Sequence, residues 1–297
     1  LNMPTNIQVR TILNKTKARD PWFLDDYTLN PYSGCSFNCL FCYIRGSKYG
    51  INMAEKVSVK GNAPQLLEKK LAYLARHNRY GIILLGSSTD PYLHFEENTA
   101  LTKTLLEIIL HYRFPVHIVT RSNLITRDIA LIKKINEDAQ LPEELKNSLK
   151  HKAVVTFSFS TLDSATAKIF EPGAPSPALR LETMKKFVKE DIMTGVSMLP
   201  MLPYITDTGE NLELMVKTFK EAGVHYIFPA TLTLFGEGAS DSKPLVFNSI
   251  SKYYPHLKEK YEKLFRDDYQ LPGYYRKAFE IKMESLFTKY NIKNRII

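Results

Sequence analysis

The chain is nearly devoid of cysteine: it has three in 297 residues, at positions 35, 39 and 42. That scarcity argues against a disulfide framework, which uses an even number of cysteines spread through a small secreted domain. Histidine is also missing from the neighbourhood. The nearest in sequence is His77, so a structural zinc site lacks the closely spaced fourth ligand it ordinarily has. Long apolar runs are absent too. No stretch reaches the eighteen or so residues of a membrane span, and no apolar leader-like segment opens the sequence. A cytoplasmic protein without a membrane partner is the expectation. Acidic residues are in mild deficit, 31 against 40 Lys and Arg, for a net charge of +9. That excess suits a nucleic-acid substrate, and equally a lysine-rich surface.

What cysteine there is lies in one window, Cys35-Ser36-Phe37-Asn38-Cys39-Leu40-Phe41-Cys42. Soft thiolates this close together suit an iron–sulfur cluster, because one short loop can wrap three corners of a cube. A cluster that only carries electrons is normally held by four cysteines, so three ligands leave one iron open for substrate or cofactor. A non-catalytic iron–sulfur or zinc protein is the rival reading from a different functional class.

The rest of the chain alternates between strand and helix patterns. Residues 1–27 show no sustained periodicity and read as an N-terminal arm packed through Trp22. Thr28 to Gly34 reads as a first strand feeding the cysteine loop. Ala63 to Leu74 spaces its apolar residues three and four apart, with Pro64 in the first turn, as a helix does. Short apolar runs of the buried parallel type follow at 81–85, 116–120, 153–160, 192–199 and 224–228, separated by helical stretches. Residues 138–150 read as a polar helical insertion. Strands joined by helical crossovers make a parallel sheet. The expected fold class is therefore α/β: a partial (β/α)6 TIM-like barrel over 28–235, with the arm at 1–27 and a C-terminal helical extension at 236–297.

In such barrels chemistry collects at the C-terminal ends of strands. The polar and apolar residues there are Ser88, Thr89 and Asp90, then Arg121 and Ser122, then Ser158 and Ser160, and finally Met198 and Pro200. Hydroxyls and a carboxylate can bind amino and ribose groups, a cation can pair with a carboxylate, and an apolar strand end can sandwich a base. Tyr274-Tyr275-Arg276 has the character of a base-stacking platform, though a turn and helix start explain it as well.

Three cysteines spaced three and then two residues apart, with aromatic Phe41 before the last, resemble the hallmark of the radical S-adenosylmethionine (SAM) superfamily. The resemblance implies a 4Fe-4S cluster on Cys35, Cys39 and Cys42, with SAM chelating the open iron. It also implies an external electron donor such as ferredoxin or flavodoxin, and a 5'-deoxyadenosyl radical that removes hydrogen from substrate. Asn30-Pro31-Tyr32-Ser33-Gly34-Cys35, Ser88-Thr89-Asp90-Pro91-Tyr92, Thr120-Arg121-Ser122 and Glu171-Pro172 through Arg180 are similar to the spore photoproduct lyase branch. That likeness points to nucleic acid as substrate and to Arg121 on the SAM carboxylate; a peptide or small metabolite is the alternative. The branch carries a fourth cysteine after its second strand as hydrogen donor, where this chain has Gly86-Ser87-Ser88-Thr89. Tyr43, matching an aromatic hydroxyl position in the branch, is then the candidate catalytic hydrogen relay.

Overall fold

The structure, a computed structural model, describes residues 4–47, 50, 53 and 56–297. In chain order the N-terminal half contains strands β1 (Thr5–Ile7), β2 (Leu13–Lys15), β3 (Tyr27–Leu29), β4 (Tyr32–Ser33) and β5 (Ser58–Lys60). Helix α1 (Ala63–Arg76), β6 (Ile83–Leu85), α2 (Glu96–Thr99), α3 (Leu101–His111), β7 (Val116–Thr120) and α4 (Ile129–Asp138) follow. The second half runs β8 (Ala153–Ser158), α5 (Ser164–Phe170), α6 (Pro177–Lys189), β9 (Met193–Met201), α7 (Gly209–Glu221) and β10 (Tyr226–Thr231). It ends in α8 (Ser242–Tyr253), α9 (Lys258–Leu264) and α10 (Gly273–Tyr290).

Seven strands form the main sheet in the order β10-β9-β8-β7-β6-β3-β2. The six from β3 to β10 pair in parallel, and β2 adds an antiparallel edge on β3. The two end strands do not pair, so the expected partial (β/α)6 barrel is the observed architecture. Helices cover the sheet because their apolar residues fall on one side: α1, for example, buries Leu67, Leu71 and Leu74, with a proline at its start.

Two local expectations differ from the structure. The strand expected over 28–34 breaks in two, with β3 in the main sheet and β4 turned into a small second sheet of order β1-β5-β4. Pro31 explains the break, since it has no N–H to continue the ladder. The expected helix over 138–150 is a 3-10 turn at Glu143–Leu145, and it buries Leu141, Leu145 and Leu149.

Those leucines belong to an apolar cluster with Leu24, Ile82, Val154, Met193, Tyr226 and Phe228, most of them at or just before the N-terminal ends of strands. The cluster closes the base of the barrel. Trp22 stacks on Phe228 at 5.4 Å and 4°, and Phe23 meets the same ring edge-on. Here His117 Nδ1–H donates to the Phe23 carbonyl (2.8 Å), while its Nε2 accepts from Thr156 Oγ1 (2.6 Å), which accepts in turn from the Tyr226 hydroxyl (2.6 Å). The neutral ring is favoured: burial pushes His117 down to about 4, against the smaller opposing effect of the Phe23 carbonyl. Among the described residues no helix is long and apolar enough to cross a membrane.

Candidate functional site

The cysteine loop leaves β4 through Gly34, whose φ of +79° suits glycine and whose absent Cβ would lie 2.7 Å from the carbonyls of Met53 and Lys56. Tight turns follow, with Asn38 N–H donating to the Cys35 carbonyl (3.4 Å) and Cys42 N–H to that of Cys39 (3.3 Å). The segment between α5 and α6 holds the loop from outside: Leu40 N–H donates to Phe170 O (2.8 Å), and Gly173 N–H to Phe37 O (3.0 Å). Cys35 and Cys39 are buried, and Cys42 is half-buried as a residue.

Burial pushes the Cys35 thiol up to about 12, with Asp90 adding to the shift and the Asp90 backbone N–H opposing it. Cys39 and Cys42 are raised as well, burial first, against the opposing charge of Arg121. The Ile44 and Arg45 backbone N–H groups also favour a Cys42 thiolate. As free side chains all three stay protonated at neutral pH, and a bound metal centre is what would make them thiolates. Among the described residues no three His, Cys, Asp or Glu side chains are arranged around a single metal ion. A cluster held at separate corners does not need that convergence.

Arg121, just past β7, faces the same space. Its guanidinium carbon lies 6.0 Å from the Phe41 ring centroid, Nη2 donates to the Leu199 carbonyl (3.2 Å), and Nε stands 3.7 Å from Glu171 Oε1. That Nε is buried and makes no hydrogen bond, Glu171 Oε1 lying beyond hydrogen-bond reach. Burial disfavours its charge, but Cys39 and Glu171 more than offset this and raise its pKa. The donor set therefore fits both parts of the implied cofactor system: soft thiols for iron, and beside them a guanidinium with one unbonded nitrogen for a carboxylate.

Glu171 lies behind Arg121. Arg180, only 1% exposed, pairs with it, and the Ser160 hydroxyl donates to its other oxygen. Burial would raise Glu171, but the Arg180 and Arg121 guanidiniums outweigh it and hold the carboxyl below its usual range. Arg180 Nη1 also donates to the Ser158 carbonyl (2.9 Å), which ties the end of β8 to α6.

Asp90 directs its carboxylate into the protein. Oδ1 accepts from Thr120 Oγ1 (2.8 Å) and Tyr92 N–H (2.9 Å), and Oδ2 from Arg121 N–H (2.7 Å). Ser88 and Thr89 offer their backbone N–H groups to Asn30 Oδ1 at 3.1 and 3.4 Å, while Asn30 Nδ2 donates to Ser87 Oγ (2.9 Å). Ser122 caps the following 3-10 turn by accepting from Leu124 N–H (3.2 Å). Met198 is fully buried in β9, and Pro200 is half-buried after a cis Leu199–Pro200 bond. Tyr43, 58% exposed, donates its hydroxyl to the Ser87 carbonyl. The roles of Asn30, Glu171 and Arg180 were not legible from composition or spacing; only the motifs shared with the lyase branch pointed to those positions. Arg45 gave no sequence signal.

The description of the Radical SAM superfamily matches residues 29–219. Uncharacterized protein Rv2578c of Mycobacterium tuberculosis is 28% identical over 273 residues, which are 90% of this chain and 75% of that one. Uncharacterized protein ORF301 of Acidianus two-tailed virus is 26% identical over 254 residues, 82% of this chain and 79% of its own. A mutant spore photoproduct lyase with bound AdoMet and dinucleoside spore photoproduct superposes with a TM-score of 0.63. The superposition covers 96% of this chain and 78% of the lyase at 15% identity, a likeness of fold.

Proposed function

The chain belongs to the Radical SAM superfamily, and from that premise we propose that Cys35, Cys39 and Cys42 hold its 4Fe-4S cluster and that its substrate is a nucleic acid. The protein is a radical SAM enzyme whose cofactors are that cluster and SAM. Held by Cys35, Cys39 and Cys42, the cluster would supply the electron for reductive cleavage of SAM and so the means to remove hydrogen from a substrate. Residues 28–235 are the catalytic unit of this reading, with 1–27 as arm and 236–297 as extension.

The observation that carries the reading is the unsatisfied Arg121 Nε beside three buried thiols. Arg121 binds the SAM carboxylate, and Phe41 and Pro200 form the apolar wall for adenine, while Met198, expected there from its strand end, is fully buried and packs behind it. Asp90 acts as a brace: its three acceptor bonds fix the Arg121 backbone and leave its carboxylate little capacity for SAM. Ser88, Thr89, Ser122, Ser158 and Ser160 shape the strand ends, mostly through bonds internal to the fold. Support for nucleic acid comes from the net charge of +9 and from fold likeness to a lyase solved with a dinucleoside photoproduct.

Gly86-Ser87-Ser88-Thr89 is the stretch that matches the place of the resembling branch's hydrogen-donor cysteine, and an alcohol O–H is too strong to give its hydrogen readily to a carbon radical. The Tyr43 hydroxyl, bonded to the Ser87 carbonyl, is the remaining candidate relay. The test is anaerobic reconstitution followed by assay for 5'-deoxyadenosine with and without DNA or RNA. Stimulation by nucleic acid supports the reading, whereas stimulation only by a peptide or small metabolite overturns the substrate assignment. Spore photoproduct in DNA should be converted little or not at all. Efficient conversion that Tyr43→Phe impairs would instead assign the chain to repair.

A further inference from the structure

Three arginines near the mouth of the barrel have carboxylate partners: Arg121 and Arg180 share Glu171, and Arg127 lies between Glu96 and Asp128. Arg45, three residues past Cys42, is different. It is 3% exposed, yet its acceptors are neutral oxygens: Nε donates to the Cys39 carbonyl (2.9 Å), Nη1 to the Ser240 carbonyl (2.8 Å) and Nη2 to the Asn38 carboxamide oxygen. Among the described residues no carboxylate lies within ion-pair distance of it. A buried guanidinium with no anion among the described residues is a costly thing for a fold to keep. The acidic groups nearest in the chain are the thiols of Cys39 and Cys42, and the Arg45 guanidinium is bonded directly to the backbone of the first.

The same side chain joins distant parts of the sequence. Gly46, with φ of +84°, lies so close to Phe235 that a Cβ would come within 2.8 Å of the Phe235 Cβ. The turn over 235–242 is braced from within: Phe235 N–H donates to Ser242 Oγ, Gly238 N–H to Asp241 Oδ2 and Asp241 N–H to the Gly238 carbonyl, each at 2.8 Å. That rigid turn presents the Ser240 carbonyl to Arg45.

We propose that Arg45 is a positioning residue for the cluster: it adds to Arg121 a second buried positive charge beside the cysteine loop, and it fastens the Cys39 turn to residues 235–242. The proposal rests on the three cysteines being the cluster ligands. Reduction adds negative charge to the cluster, so a fixed cation nearby favours the reduced state and raises the reduction potential. The fastening limits opening of the loop and slows loss of iron.

The experiment compares anaerobically reconstituted wild type, Arg45→Met and Arg45→Lys. Iron release to a chelator and the midpoint potential in a dithionite titration are the readouts, with circular dichroism and melting of the apoproteins as the check on folding. Arg45→Met should release iron several-fold faster and titrate at a more negative potential. Arg45→Lys should restore much of the potential, because it restores charge, but not the slow release, because an ammonium lacks the guanidinium fork that spans three acceptors. Equal potentials and equal release in wild type and Arg45→Met would overturn the proposal. If Arg45→Met fails to fold, Arg45→Lys decides, and release as slow as wild type overturns it. Wild type that takes up no cluster would overturn the ligand assignment, a distinct result that removes the proposal with it.

Discussion

The two ends of the barrel are built on opposite principles. At the base, rings and aliphatic side chains fill the space, and a neutral chain of buried polar groups runs from Tyr226 through Thr156 and His117 to the Phe23 carbonyl. At the mouth, three thiols, Asp90, Arg121, Glu171, Arg180 and Arg45 are packed where water is largely excluded. A closed apolar base requires nothing from a ligand. A mouth with raised thiols, a guanidinium nitrogen that makes no hydrogen bond and, among the described residues, a buried guanidinium with no carboxylate at ion-pair distance offers donors suited to an anionic, metal-bearing group.

Perturbing one end at a time tests this division. The largest stability loss should come from Arg180→Met, which leaves Glu171 without its partner in the fold's interior. Chemical denaturation should show about 3–5 kcal/mol lost. Trp22→Ala at the base should cost about 2–4 kcal/mol, because the ring is only partly buried, while iron uptake at the mouth stays unchanged. Arg121→Ala should weaken SAM binding by about 1.5–3 kcal/mol in an equilibrium titration and leave iron content intact. An unchanged affinity would place the SAM carboxylate elsewhere.

The smallest effect is a pH dependence at the base. The folded pKa of His117, about 4, lies below its ordinary value of 6.5, so the unfolded chain binds more protons in between. Stability from this group is complete above about pH 6.5 and is lost as pH falls toward 4, by about 1–2 kcal/mol at pH 5. His117→Gln should flatten that part of the stability curve. A profile as steep as wild type would show that His117 does not control it.

Much of this contrast was legible in the sequence because it is local. Pro64 at a helix start and the apolar runs at 81–85 and 116–120 act through neighbours a few residues away, and each stands as expected. The break at Asn30-Pro31 was not read, although a proline in a short strand is itself a local signal. Asp90 is at a strand end, as expected, but its inward turn depends on Thr120 and Arg121, thirty residues on. Arg45 and Ser240 are 195 positions apart, and a lone arginine between Ile44 and Gly46 carries no periodicity or spacing. Whether a buried charge has a partner is a property of the folded chain, visible only once distant segments meet.

The central claim is that the mouth holds a cluster on three thiols with a site for SAM on it. Its most direct test is metal and sulfide analysis of anaerobically reconstituted protein, together with SAM binding. The account predicts a brown protein with about four irons and four sulfides per chain, SAM bound at equilibrium, and loss of colour and iron when Cys35, Cys39 or Cys42 is replaced by alanine. Colourless protein with stoichiometric zinc and no affinity for SAM would contradict it.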